Sequence, residues 1–411
     1  MQTQGFKNAS YYVALEEKYG AHNYHPLPVV IERGQGVYLY DVEGKQYFDF
    51  LSGYSAVNQG HCHPAIIKAL TEQASKLTLT SRAFYNNQLG EYEQFITQYF
   101  GYDKVLPMNT GVEAGETAVK LARRWAYEKK GVAANEAVIL FPEGNFWGRT
   151  IAAISSSTDP SSYTNFGPFV PGFKQIPYNN IEALEAALQN KNVAAFMVEP
   201  IQGEAGVIVP DNGYLKAAHE LCKRHHVLLI ADEIQTGLCR TGKLLASDYD
   251  DVRPDILMLG KALSGGVMPI SAVLCDNDIM DTIKPGEHGS TFGGNPLACV
   301  VAMAALGVLR DQNLADNAYE MGQLFRYELE KINSPFISKV RGKGLLNAIE
   351  VTHQNPNAAW DFCLVLKENG LLAKPTHGNK IRFAPPLIIN EAQIRESVSM
   401  ITKSLKHLEL N

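Results

Sequence analysis

Short apolar runs recur along the middle of the chain, each closed by glycine, proline or a polar residue. They cover residues 103–108, 137–141, 192–198, 227–231, 255–260 and 269–274. Runs this short and apolar predict strands buried on both faces. Between them the apolar positions take helical spacing. Ala118, Leu121, Ala122 and Trp125 fall on one face of a helix expected over 118–129. A second helix is expected over 213–225, and residues 155–162 read as a long serine-rich loop. Strands alternating with helices from about residue 100 to 275 predict a mostly parallel sheet with helices on both faces.

The flanks carry a different pattern. Residues 29–41 read as two strands around a glycine turn, followed by a strand near 46–50. Helices are expected over 11–19, 64–76 and 90–100. Beyond Pro296, helices are expected to about Leu309 and over 314–332. The tail mixes strands at 337–341, 344–351, 371–374 and 380–386 with helices at 358–369 and 391–408. We therefore expect an N-terminal segment (1–64) packed with a smaller C-terminal α+β domain (311–411), around a large central domain (65–310).

Length and composition narrow the class. With 411 residues, 45% hydrophobic and 19% charged, the chain has the balance of a soluble globular protein. A net charge of −6 argues against a nucleic-acid partner. No apolar run is long enough to span a bilayer, so no membrane partner is expected. The first ten residues have neither a secretory core nor an Arg-rich bias, which leads us to expect a cytoplasmic protein. The six cysteines are scattered without paired spacing, so free thiols are expected. His61-Cys62-His63, and Cys222 with His226, have no further ligand cluster nearby in sequence, and no metal site is expected.

The chemistry sits at the ends of the predicted strands. Asn109, Glu199, Asp232 and Lys261 each follow an apolar run, which is where open α/β sheets bind ligands. A lysine there, with its amine pKa lowered by burial, is a competent nucleophile toward an aldehyde. The Gly111-containing loop entering a helix can hold an anion on backbone N–H groups. Phe146, between Gly144 and Gly148, can stack on a flat ring, and Arg149 can hold a carboxylate. Together these features suit pyridoxal phosphate: a lysine for its aldehyde, an aspartate for its ring nitrogen and a helix end for its phosphate.

Asp232-Glu-Ile-Gln235, Lys261-Ala-Leu-Ser-Gly-Gly266 and Gly289-Ser-Thr291-Phe-Gly-Gly-Asn-Pro296 resemble the class III aminotransferases, over essentially the whole chain. Tyr19-Gly-Ala-His-Asn-Tyr24, residues 57–64 and 80–84, Glu199-Pro-Ile-Gln-Gly-Glu204 and residues 341–346 narrow the resemblance. They match the branch acting on the terminal amine of L-ornithine. The resemblance implies an α/β, aspartate-aminotransferase-like fold (fold type I). It implies that Lys261 is the covalent lysine and proton carrier, with Asp232 on the ring nitrogen, Gln235 on the ring hydroxyl and Phe146 stacked on the ring. Gly111 and Val112 would bind the phosphate. Ser290 and Thr291 would reach it from a partner subunit, which requires at least a homodimer.

For the substrates, the resemblance implies that Tyr24 and Arg149 hold the α-carboxylate end of ornithine and that Tyr54 shapes the pocket. Arg382 and Arg149 would grip the two carboxylates of 2-oxoglutarate. Glu204 would occupy Arg382 during the first half-reaction, and Glu199 would support Arg149 or its neighbourhood. N-Acetylornithine and 4-aminobutyrate are the rival amines, and a non-catalytic cofactor-binding scaffold is the rival from another class.

Overall fold

In the computed structural model residues 7–409 are described. The first six residues, on which the expectation about targeting partly rests, lie outside them. A seven-stranded sheet forms the centre. Its order is Lys104–Met108, Ser271–Cys275, Ile256–Leu259, Leu228–Asp232, Val193–Val198, Val138–Pro142 and Phe173–Ile176. Every pairing is parallel except the two made by Ser271–Cys275. Because that strand is antiparallel to both neighbours, the remaining strands share one direction. Asn109, Glu199, Asp232 and Lys261 therefore reach the same edge. Val193–Val198, Leu228–Asp232 and Ile256–Leu259 are buried throughout, as the unbroken apolar runs require once helices cover both faces.

The helix expected from 118 begins earlier, at Gly111, and runs to Trp125. A reciprocal cap sets its start: the Glu113 N–H donates to Thr110 Oγ1, and the Thr110 N–H donates to Glu113 Oε2 at 2.7 Å. The glycines that disguised this turn have a steric purpose. A Cβ on Gly115 would lie 2.4 Å from the Trp147 ring. Residues 155–162 are also more ordered than a loop, since they overlap helices Ile151–Ser155 and Pro160–Tyr163. The edge strand Phe173–Ile176 and helix Ile181–Leu188 were not anticipated. The first is short and half exposed, which leaves no apolar run to read.

Two four-stranded sheets flank the centre. One joins Ile31–Gln35, Tyr38–Asp41 and Gln46–Asp49 to Leu371–Leu372. The other joins Ile337–Lys343, Leu346–Val351, Lys380–Phe383 and Lys374–Thr376. The strand expected at 371–374 is thus two strands in two sheets, and the chain switches at Ala373. Arg240 ties the flanks to the centre. Its fully buried guanidinium donates to the carbonyls of Leu345 (2.9 Å) and Pro385 (2.6 Å) and to Asn58 Oδ1 (2.6 Å).

Candidate active site

Lys261 follows strand Ile256–Leu259 and opens a single 3₁₀ turn, Lys261–Ser264. Its φ of 45° lies in the left-handed region, a strained conformation that a packed surround must enforce. It lines a cavity of about 690 Å³, whose wall also includes Tyr24, Tyr54, Phe146, Arg149, Glu204, Lys374 and Arg382. Burial lowers the Lys261 amine pKa, with Glu204 and then Asp232 pulling the other way.

Asp232 ends the neighbouring strand and is buried. Its Oδ1 accepts the Ile234 N–H at 3.0 Å, while Oδ2 receives no hydrogen bond among the described residues. Burial pushes its pKa up to about 6. Glu199 ends the next strand along. Burial, then the nearby Asp232 carboxylate, raise it to about 8. Its two oxygens accept the backbone N–H groups of Phe146 (2.9 Å) and Gly203 (3.1 Å). Glu199 therefore supports the loop that carries Arg149 through the backbone of Phe146. It forms no ion pair with Arg149 among the described residues, and the Arg149 guanidinium instead lies 5.6 Å from the Phe146 ring centroid.

That loop is seated on the long helix. Trp147 covers Gly115, and Val112 fills the space where a Gly148 Cβ would stand, 2.4 Å away. Gly111 and Val112 are the first residues of the helix, so their N–H groups have no intrahelical acceptor. Gly111 lies under Ile234, two residues past Asp232, where a Cβ would come within 3.0 Å of Ile234 Cδ1. The helix end and the aspartate are thereby fixed to each other.

Across the cavity, Arg382 is buried on strand Lys380–Phe383 and pairs with Glu204 at 2.7 Å. Burial disfavours the Glu204 carboxylate, but Arg382 and then Lys261 outweigh it and hold its pKa at about 2. Gln235 bridges this pair. Its Nε2 donates to Glu204 Oε1 at 3.1 Å, and its Oε1 accepts from Arg382 at 3.1 Å. A Cβ on Gly203 would lie 1.9 Å from that amide, so only glycine fits beside it.

Tyr54 stands 5.4 Å, ring centroid to guanidinium carbon, from Arg382. Its backbone is unusual: residues 52–55 all have φ between 48° and 71°, a left-handed turn costly for L-residues. Asp49 holds the entry to that turn. Its Oδ1 accepts the N–H groups of Leu51 (2.8 Å) and Ser52 (2.9 Å), and its Oδ2 pairs with His61 Nε2 at 2.7 Å. His61 is thus engaged with a carboxylate, while His63 bonds Gln312.

The sequence did not single out Asp49 or Lys374, and it weighed His61 only as a metal ligand, not as a partner of Asp49. Asp49 and His61 lie within a strand and a turn that resemble ordinary structural sequence, and Lys374 reads as a surface charge. Ser290 and Thr291 do not line the cavity of their own chain. Ser290 accepts from Asn109 Nδ2 at 2.7 Å, and Thr291 is exposed.

A half-buried lysine, an aspartate and a helix N-terminus brought to one sheet edge define the class. The chain matches the family model "Aminotransferase class-III" over residues 19–405 and belongs to that family. Relatives are more particular. The chain is 66% identical to the mitochondrial ornithine aminotransferase of Rattus norvegicus, over 98% of this chain and 92% of that one. It superposes on the solved ornithine aminotransferase of Toxoplasma gondii with a TM-score of 0.97, at 54% identity, covering 99% and 96% of the two chains. The solved acetylornithine aminotransferase of Elizabethkingia anophelis gives a TM-score of 0.90 at 60% identity, over 98% and 100%.

Proposed function

We propose that this aminotransferase moves the terminal amine of L-ornithine to 2-oxoglutarate. The products are L-glutamate 5-semialdehyde, which cyclises to pyrroline-5-carboxylate, and L-glutamate. The Glu204–Arg382 pair opposite Lys261 carries this reading. A diamine must present its far end to Lys261 with its carboxylate kept away. A keto acid must present the carbon beside a carboxylate. With Glu204 on Arg382, the guanidinium is occupied and ornithine enters amine first. With Glu204 displaced, the planar fork is free to take the 2-oxoglutarate carboxylate in a bidentate grip.

The residues at the sheet edge fit pyridoxal phosphate. Asp232 has an oxygen open for the ring nitrogen, and the Gly111 and Val112 N–H groups can receive the phosphate. Phe146 lines the wall where the ring would stack. Bound there, the cofactor supplies an aldehyde for the amine and a ring that accepts the electron pair left by a departing C–H proton. Lys261 Nζ would take that proton and return it to the carbon on the other side of the transferring nitrogen. Its lowered pKa makes the neutral amine available for the task. Asp232, held by the Ile234 N–H, would keep the ring nitrogen protonated. Arg149 and Tyr24 orient the α-carboxylate end of ornithine, and Tyr54 walls the pocket beside Arg382.

In this reading the chain works as a homodimer, with Ser290 and Thr291 of a second copy reaching the phosphate. The exposure of Thr291 and of the apolar Phe84, Tyr85 and Phe292 supports this.

A second reading, transfer from N-acetylornithine, is favoured by the 60% identity to the E. anophelis protein. One experiment separates the two. Protein reconstituted with pyridoxal phosphate is mixed with L-ornithine, N-acetylornithine or 4-aminobutyrate in the absence of a keto acid, and the cofactor absorbance is followed. Rapid loss of the aldehyde-form band with ornithine is the expected result. Faster loss with N-acetylornithine would replace the first reading with the second.

A further inference from the structure

We propose that Lys374 is a specificity-determining cation that favours the dicarboxylate substrate over the diamine, an inference that rests on the two-substrate reading above. Lys374 lies on the short edge strand Lys374–Thr376, directly opposite Arg382 in antiparallel register. Residues opposed in this way project to one face of the sheet. Both side chains accordingly line the same cavity. Like charges opposite each other destabilise a sheet, so this pair calls for negative charge nearby.

Glu204 forms an ion pair with Arg382 and none with Lys374 among the described residues. Among the described residues Lys374 has no ion pair and no side-chain hydrogen bond, and its ammonium stands 5.9 Å from the Tyr24 ring centroid. The other carboxylate on the cavity wall, Asp159, is engaged by Ser161 and Ser162. Of the cations lining the cavity, Arg382 is matched by Glu204 and Lys261 is reserved for proton transfer. Arg149 and Lys374 remain to meet charge on a ligand.

The two substrates differ in charge near neutral pH. Ornithine carries two ammonium groups and one carboxylate, whereas 2-oxoglutarate carries two carboxylates and no cation. A fixed ammonium in a partly enclosed site attracts the second and opposes the first. Its place beside Arg382 adds a further consequence. A carboxylate drawn to Lys374 arrives next to the guanidinium that Glu204 still occupies, so its approach helps displace Glu204. Lys374 thereby couples recognition of the keto acid to release of Arg382.

The test compares the holoenzyme with Lys374→Gln, Lys374→Glu and the charge-preserving Lys374→Arg, with each substrate varied in turn. In Lys374→Gln the KM for 2-oxoglutarate should rise about tenfold, and further in Lys374→Glu. The KM for the amine should stay level or fall, kcat should change less than KM, and Lys374→Arg should restore most of the loss. An equal rise for both substrates, or an unaltered 2-oxoglutarate KM, would overturn the proposal.

Wild-type enzyme supplies a measure that needs no variant to fold. Added potassium chloride should raise the KM for 2-oxoglutarate more than that for the amine, and the opposite ordering counts against Lys374. Failure of the parent reading is seen separately, as absent turnover of ornithine by the wild type. The same comparison is then made with whichever amine the enzyme accepts.

Discussion

Lys261, Asp232 and Glu199 stand at the ends of three neighbouring buried strands of one sheet. Tyr24, Tyr54, Arg149, Glu204, Lys374 and Arg382, by contrast, reach the cavity from segments spread across the chain. We call the first group the floor and the second the rim: Lys261 lines the cavity itself, while Asp232 and Glu199 line a smaller pocket that shares Phe146 with it. On the floor, position follows from the fold, because parallel strands deliver their ends to one edge whatever the loops do. On the rim, position depends on contacts between distant segments, such as Glu204 with Arg382 and Lys374 beside Arg382. Under the proposed function the floor would make bonds and move protons, and the adjustable charges of the rim would choose between ligands.

This division is tested most severely at the floor. Lys261→Ala should lower kcat by about 10⁴-fold or more while leaving the thermal melt near that of wild type, as measured by steady-state rates and calorimetry. A loss of less than tenfold would remove Lys261 from the chemistry. At the rim, Glu204→Ala should act on selectivity first. With Arg382 unguarded, kcat/KM for ornithine should fall by about 10- to 100-fold, and that for 2-oxoglutarate by much less. Equal losses for the two would mean that Glu204 does not distinguish the half-reactions.

The smallest effect is one of stability. The Glu199 carboxyl is raised in the folded chain to about 8, so the folded state binds more protons than the unfolded state between roughly pH 4.5 and 8. Stability from this group is full below that window and is lost as pH rises through about 8. In cofactor-free protein, Glu199→Gln should flatten that decline in a chemical-denaturation series across pH. An unchanged slope would mean that Glu199 is charged in the folded state.

The same contrast governs what could be read in advance. Lys261, Asp232 and Glu199 were visible because each ends an unbroken apolar run, and burial of that run fixes the residue that follows it. The start of the helix at Gly111 was hidden because Gly111 and Gly115 mimic a loop. Their small size instead serves Ile234 and Trp147, which come from elsewhere in the chain. The roles of Arg382, Glu204 and Tyr54 came from resemblance alone, since no local pattern announces a partner more than a hundred residues away. Lys374 and the Asp49–His61 support of the left-handed turn also went unnoticed, although their partners lie close in sequence, because a side-chain pairing within a short strand or turn leaves no periodic pattern. Gln235 was expected at the cofactor ring, and the structure shows it spanning the Glu204–Arg382 pair.

Strand Gln46–Asp49 pairs in parallel with Leu371–Leu372, across roughly 320 residues of sequence. On a ribosome adding about 5–20 residues per second, the first strands to emerge wait on the order of tens of seconds for that partner. Through that interval the early hairpin presents an unpaired edge, and the turn carrying Tyr54 lacks the Ser52 hydroxyl bond to the Ala384 carbonyl. The active-site wall is therefore among the last parts of the molecule to be finished, and a nascent chain truncated before residue 371 leaves the ribosome with its opening segment still in search of a neighbour.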